Sequence, residues 1–166
     1  MNDHQTQFVG TWRLLDYSVV NLETGIASPV LGAHAQGHII YTPEGWVSAT
    51  LMTPNRAPNS TDRVARYALK EKLQVSGMND LTEDERQFAL PFLLAAFGYI
   101  AYCGKFDADA THVHHFISEA FFPAYVGTTA TRAYSFEDDR LLLTAEAFGG
   151  RDQVLWQRVP PQDPSS

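Results

Sequence analysis

The sequence predicts a mainly β protein: a closed antiparallel up-and-down β-barrel of about eight strands, with a helical insertion at about residues 60–98. Three observations lead there. Short runs rich in β-branched and aromatic residues recur toward both ends of the chain, polar turns separate them, and only the middle switches to helical spacing. With 166 residues there is room for one core, and about eight short strands close into a barrel more readily than they form a sandwich with exposed edges. The expected organisation is a single domain over residues 1–160 and a disordered tail at 161–166.

Residues 11–20 (TWRLLDYSVV) form the first strand. Residues 37–52 (GHIIYTPEGWVSATLM) are split by Thr42-Pro43-Glu44-Gly45, with Pro and Gly where a type I turn wants them, so they predict a hairpin. Ala65, Ala68, Leu69 and Leu73 fall at i, i+3, i+4, i+8, and Thr82 with Glu85 has capping-box spacing ahead of Phe88, Leu90 and Leu94. Helices are expected at about 61–74 and 83–97, the second bent or broken near Pro91. Beyond Tyr99, turns at Asp107–Ala110, near Asp138-Asp139 and around Gly149-Gly150 separate five further strands, roughly 99–106, 111–120, 127–137, 140–146 and 152–159.

Composition narrows the partners. The 12 Lys plus Arg stand against 19 Asp plus Glu, a net charge of −7, and Arg13 is the single Lys or Arg before Arg56. No nucleic acid and no anionic membrane is therefore expected as a partner. The most apolar stretch, Phe88 to Cys103, has 16 residues and contains Pro91 and Gly98, whereas a bilayer span needs about 20 uninterrupted residues. It reads as core, and a homodimer, if formed, would use its run at 88–97. The lone Cys103 excludes an internal disulfide and a CxxC metal site, and residues 1–12 lack the zones of a secretion signal, so a cytoplasmic location is expected.

Hairpin register separates the two faces, because directly paired residues point the same way. A four-residue loop at Asp107–Ala110 pairs Phe106 with Thr111, Gly104 with Val113, Tyr102 with His115 and Ile100 with Ile117, a mostly apolar face. The opposite face, with Lys105, Cys103, His112, His114 and Ser118, is assigned to solvent. Tyr102 and His115 are thus expected side by side on the inner wall. A two-residue loop at Asp138-Asp139 pairs Phe136 with Leu141, Tyr134 with Leu143 and Arg132 with Ala145, which sends Arg132 and Tyr134 inward. A guanidinium among apolar neighbours is costly when unpaired. It needs either Glu119, placed on the same face as His115, or a ligand carboxylate. In the first hairpin the turn pairs Tyr41 with Trp46 and Ile39 with Ser48. One of its faces is aliphatic and the other aromatic with polar tips, so the pattern does not choose, and Tyr41 and Trp46 are carried as lumen candidates.

These residues resemble a family. Gly10-Thr11-Trp12 looks like the GxW opening of lipocalin-type barrels. The series GHIIYTPEGWVSA (37–49), YIAYCGKF (99–106), HHF (114–116), FPAYVGT (122–128), Arg132 and LWQR (155–158) is similar in order and spacing to the bacterial and fungal lipocalin-like domain family, over nearly the whole chain. The resemblance implies a calycin-type barrel with a small-molecule cavity, and Trp12 packed beneath Arg158 as structural residues closing one end. It also implies a histidine near 114–115, of which the hairpin pairing selects His115. Some barrels of this general kind serve as isomerases or cyclases in secondary metabolism, and fold alone does not settle function.

His112-Val113-His114 sets two imidazoles on one strand face, as a transition-metal chelate would, but no third ligand is evident nearby. Neither a metal nor a cofactor is expected. Cys103 points outward with no activating neighbour, and no GxSxG elbow, P-loop or dinucleotide fingerprint is present. The expected function is binding of a small, mostly apolar ligand with a polar or anionic end, by Tyr102, His115, Arg132 and Tyr134, with Tyr41 and Trp46 beside them. The helical insertion would cap or flank the mouth and gate it if it moves. One alternative is a cofactor-independent isomerase or cyclase in which His115 moves a proton while Tyr102 or Arg132 stabilises an oxyanion. Another is an interaction domain whose barrel is filled by its own side chains.

Overall fold

In the computed structural model residues 1–147 and 149–161 are described. Of the expected tail at 161–166, all but Pro161 lies outside the described residues. The elements are α1 (Asp3–Phe8), β1 (Gly10–Asn21), β2 (Ala27–Pro29), β3 (Gln36–Tyr41), β4 (Trp46–Met52), α2 (Arg63–Ser76), α3 (Glu83–Phe97), β5 (Tyr99–Ala108), β6 (His112–Ala120), a 3-10 turn (Pro123–Tyr125), β7 (Thr129–Glu137), β8 (Arg140–Ala147) and β9 (Gly150–Arg158). Eight strands follow one another around the sheet as β1-β3-β4-β5-β6-β7-β8-β9, and β9 pairs back onto β1, so the barrel closes. The ninth strand, β2, pairs with the far end of β1 outside this ring.

The chain forms two compact units, Met1–Pro54 with the chain from Ile100 onward, and Asn55–Tyr99. The second is helical. Asp62 caps α2 by accepting from the Ala65 N–H, and Gly77 ends it at φ 70°. Thr82 and Glu85 form the reciprocal capping box that opens α3. Of the expected bend or break near Pro91 the break does not occur: the helix runs on through Pro91 to Phe97, since one withheld N–H removes a single rung of a 15-residue helix.

Alternation in the strands builds the barrel core. Trp12 and Leu14 of β1, Ile39 and Tyr41 of β3, Val47, Ala49 and Leu51 of β4, and Leu141 and Leu143 of β8 are all buried. The six-residue α1 has too few turns for periodicity to reveal it, although Asn2 and Gln5 form a capping box. Asn2 Nδ2 donates to the Ala108 carbonyl at 3.0 Å and Gln5 Nε2 to the Phe106 carbonyl at 3.1 Å. Those two bonds hold α1 on β5 and place the fully buried Phe8 with its ring centroid 5.1 Å from Tyr41, 4.9 Å from Tyr134 and 5.1 Å from Phe136.

The three hairpins show what a turn does to register. In β7–β8, Phe136 faces Leu141 and Tyr134 faces Leu143, the pairing that the two-residue loop dictates. In β5–β6 the loop is Asp109–Thr111, where the Asp109 carboxylate accepts from the N–H groups of Thr111 and His112. Phe106 consequently faces His115 instead of Thr111, and Gly104 faces Ile117 instead of Val113. From Gly104 to Phe106 the displacement is an even number of residues, so the side chains from Val113 to Ile117 keep their faces. In β3–β4 the displacement is odd. Tyr41 pairs with Val47 and Ile39 with Ala49, because Gly45 sits at φ +79° and the Thr42 N–H bonds to the Trp46 carbonyl. This is a type I turn followed by a left-handed bulge residue. The extra residue turns Val47, Ala49 and Leu51 inward and Trp46 outward.

Candidate functional site

Alternation along β6 turns Val113, His115 and Ile117 inward, all three buried. His115 is 1% exposed and lies between two phenols. Its Nε2 is 2.9 Å from the Tyr41 hydroxyl, and its Nδ1 is 2.9 Å from the Tyr102 hydroxyl. Gly104 permits the close approach of β5 to β6 beside this group, since a Cβ there would stand 2.0 Å from the Phe116 carbonyl oxygen. Tyr41 is 1% exposed; Tyr102 is half-buried and is therefore the end of the chain nearer to solvent.

Burial sets the protonation states. It pushes His115 down to about 3, helped by the Arg132 and then the His114 charge, so the imidazole is neutral at pH 7. Tyr102 is pushed up to about 12, and Tyr41 well above its ordinary 10, again by desolvation first. All three groups are uncharged, and each phenol keeps its proton.

Arg132 of β7 pairs with Val113 in the β6–β7 ladder, which places it on the inner face, half-buried. Its charge acts on Tyr17, Tyr41, Tyr102 and His115. The hydrogen bond it makes is a 3.3 Å contact from Nη1 to the adjacent Thr131 carbonyl, and among the described residues no carboxylate forms an ion pair with it. Glu119 is not its partner. A register shift between Cys103 and Gly104 pairs Glu119 with Cys103 and leaves it exposed. The bulge absorbs one residue of β6 and so sends Glu119 to the opposite face from that expected.

Two further groups belong to the inner wall, of which Tyr17 carries no signal in simple alternation. A bulge in β1 between Leu14 and Asp16 re-phases the strand, so that Tyr17 pairs with Val154 and Val19 with Asp152 on the inner face. Tyr17 is pushed up to about 12, by burial and then by the Asp152 charge. Trp156 is 2% exposed, and its indole N–H has no hydrogen-bond partner.

Other candidates serve elsewhere. Trp46 is 39% exposed on the outer face, with Lys105 Nζ 4.2 Å above its ring, so it does not line the lumen. The bulge at Gly45 is the cause. Tyr134 points inward, but its ring packs on Phe8 and its hydroxyl donates to the Asp109 carbonyl at 2.7 Å, which ties it to the α1 end. At that end Arg158 lies over Trp12 at 4.0 Å and donates to the Val9 and Gln7 carbonyls, while Trp12 Nε1 donates to the Phe8 carbonyl. His112 and His114 stack on the outer face, ring centroids 6.3 Å apart, with His114 bonded to Thr131. Among the described residues no three His, Cys, Asp or Glu side chains are grouped to hold a metal ion, and no helix is long and apolar enough to cross a membrane.

Comparison with known proteins adds the family. No curated protein matches the chain. A solved structure of a mutant of the fluorescent protein UnaG aligns at 10% identity over 92% of this chain and 96% of that one, with a TM-score of 0.38, a likeness too slight to assign a ligand. The profile of the lipocalin-like domain matches residues 9–159, a span that takes in the barrel from β1 to β9 together with Tyr41, Tyr102, His115 and Arg132, and the chain belongs to that family.

Proposed function

We propose that the barrel binds a small, mostly apolar molecule whose anionic or polar end lies against Arg132, with Tyr17 and Tyr102 beside it. The observation that carries this is the unpaired guanidinium. A guanidinium on a wall of aliphatic and aromatic side chains is best satisfied by an anion or good acceptors, and among the described residues Arg132 has one long bond, to its neighbour's carbonyl. A carboxylate or similar oxyanion fits its planar fork, and the aliphatic and aromatic side chains of the wall suit the rest of the ligand. Membership of the lipocalin-like domain family supports small-molecule binding in general. His115 is a positioning residue in this reading, because both ring nitrogens are occupied by phenols and the side chain is closed to solvent. The single cysteine, Cys103, favours the cytoplasm as the place where this binding occurs.

Fluorescence titration with an anthracene-labelled long-chain carboxylate tests the proposal. The expected result is saturable binding that Arg132→Met weakens about tenfold or more, the scale of a lost charged hydrogen bond. Absence of binding, or equal affinity for both proteins, overturns it.

A further inference from the structure

His115 stands between two hydroxyls with one proton to give. A neutral imidazole has one N–H and one lone pair, so one of its two 2.9 Å hydrogen bonds is donated and the other accepted. Two directions satisfy that count. In one, the Tyr41 O–H donates to Nε2, and Nδ1–H donates to the Tyr102 oxygen. In the other, Tyr102 donates to Nδ1, and Nε2–H donates to the Tyr41 oxygen. The second leaves the Tyr41 proton without an acceptor, because Tyr41 is 1% exposed and, among the described residues, His115 is the one hydrogen-bond partner of its hydroxyl. Folded proteins rarely strand a buried donor in this way. A doubly protonated ring strands the same Tyr41 proton and adds a buried charge besides. In the first direction the proton left over is that of Tyr102, the less buried of the two tyrosines, on the inner wall.

We infer that the chain Tyr41, His115, Tyr102 is polarised in that order, so that Tyr102 presents its O–H to the barrel interior and selects ligands whose polar end is a hydrogen-bond acceptor. The ligand half of this rests on the binding function proposed above; the proton arrangement does not. Among the described residues two more donors on the wall lack a protein acceptor of their own, the Arg132 guanidinium apart from its contact to Thr131 and the buried indole N–H of Trp156. Asp152, an inward carboxylate, acts on Tyr17, whereas Arg132 acts on Tyr17, Tyr41, Tyr102 and His115 alike. An interior so supplied with donors accepts a carboxylate, an ester or a ketone and disfavours an ammonium group. Tyr102 is then the specificity residue, and Tyr41 acts through His115 to set which way its proton points.

Long-range proton–nitrogen NMR on the ligand-free protein, labelled with nitrogen-15 in histidine, reads the ring directly at neutral pH. The expected result is His115 protonated at Nδ1 with a bare Nε2; a ring protonated at Nε2, or at both nitrogens, overturns the inference. The ligand half is tested with the methyl ester of the same anthracene-labelled carboxylate, a neutral acceptor. Tyr102→Phe should weaken ester binding about fivefold to tenfold, the scale of one neutral hydrogen bond. Equal ester affinity for wild type and Tyr102→Phe overturns the specificity role. Failure of both carboxylate and ester to bind removes the binding function itself, and the NMR result still decides the proton direction.

Discussion

The barrel and the helical unit Asn55–Tyr99 are held by different kinds of interaction. The barrel buries Phe8, Trp12, Tyr41, Leu141 and Trp156 almost completely, and its polar interior groups are largely bonded to one another. In the helical unit neither α2 nor α3 has a buried residue, and Leu81 is the one buried large apolar side chain among its described residues. What marks it instead is local: the Asp62 cap, the Thr82–Glu85 box and the Lys72–Glu85 pair at 2.6 Å, with Leu90, Leu93, Leu94 and Phe97 left exposed. A surface that must hold Tyr102, His115 and Arg132 in fixed relation is built on strands whose neighbours are distant in sequence, where packing restricts every rotamer. A unit rich in local bonds and poor in burial opens more readily.

The sharpest way to break that contrast is truncation in each unit. Phe8→Ala, which empties the ring cluster beneath Tyr134 and Phe136, should cost on the order of 3–5 kcal/mol in urea unfolding. Leu94→Ala, at a position 61% exposed, should stay within about 0.5 kcal/mol. Similar losses in the two variants would mean that the helical unit carries as much buried contact as the barrel.

Acid separates the two units next. His115 takes a proton at its ordinary 6.5 when unfolded and only at about 3 when folded, so the unfolded state binds more protons between those values. The stability it contributes is full above pH 6.5 and is lost as pH falls toward 3, with a slope approaching about 1.4 kcal/mol per pH unit. Glu85, held down to about 2 first by the Lys72 hydrogen bond and then by the Thr82 backbone, contributes above its ordinary 4.5 and loses this between 4.5 and 2. Unfolding between pH 6.5 and 5 therefore reports the barrel histidine, and His115→Asn should flatten the profile there. A wild-type profile already flat in that range would remove the buried neutral imidazole.

The smallest expected effect is confined to the helices. Thr82→Ala removes the side-chain acceptor for the Glu85 N–H and should lower the stability of α3 by about 1 kcal/mol. Faster amide exchange along Glu83–Phe97, with protection in β6 and β7 unchanged, is the expected pattern. Equal acceleration in the strands would show that the units unfold together.

How much of this was legible varied from hairpin to hairpin. The β7–β8 pairing follows from a two-residue turn and a pattern with one apolar face, so Phe136 and Tyr134 take the partners that counting gives them. In β5–β6 the Asp109 turn shifts the partners by an even number up to the bulge and leaves Val113, His115 and Ile117 inward, which is why Tyr102 and His115 still meet, though diagonally. The β3–β4 turn adds one residue at Gly45 and exchanges the faces of β4, and no alternation within that strand announces it. Glu119 and Tyr17 were misplaced or overlooked for the same reason, each lying just beyond a bulge.

Local sequence alone determined that the chain makes β hairpins and, between them in sequence, a capped helical pair, because turn residues, caps and alternation act over a few neighbours. Ring closure of β9 onto β1, the positions of the bulges, and the meeting of Tyr41, Tyr102 and His115 from three different strands were decided only by the tertiary structure. A bulge moves every later side chain to the other face while changing nothing in composition, and its place is chosen by how the whole barrel must bend to close.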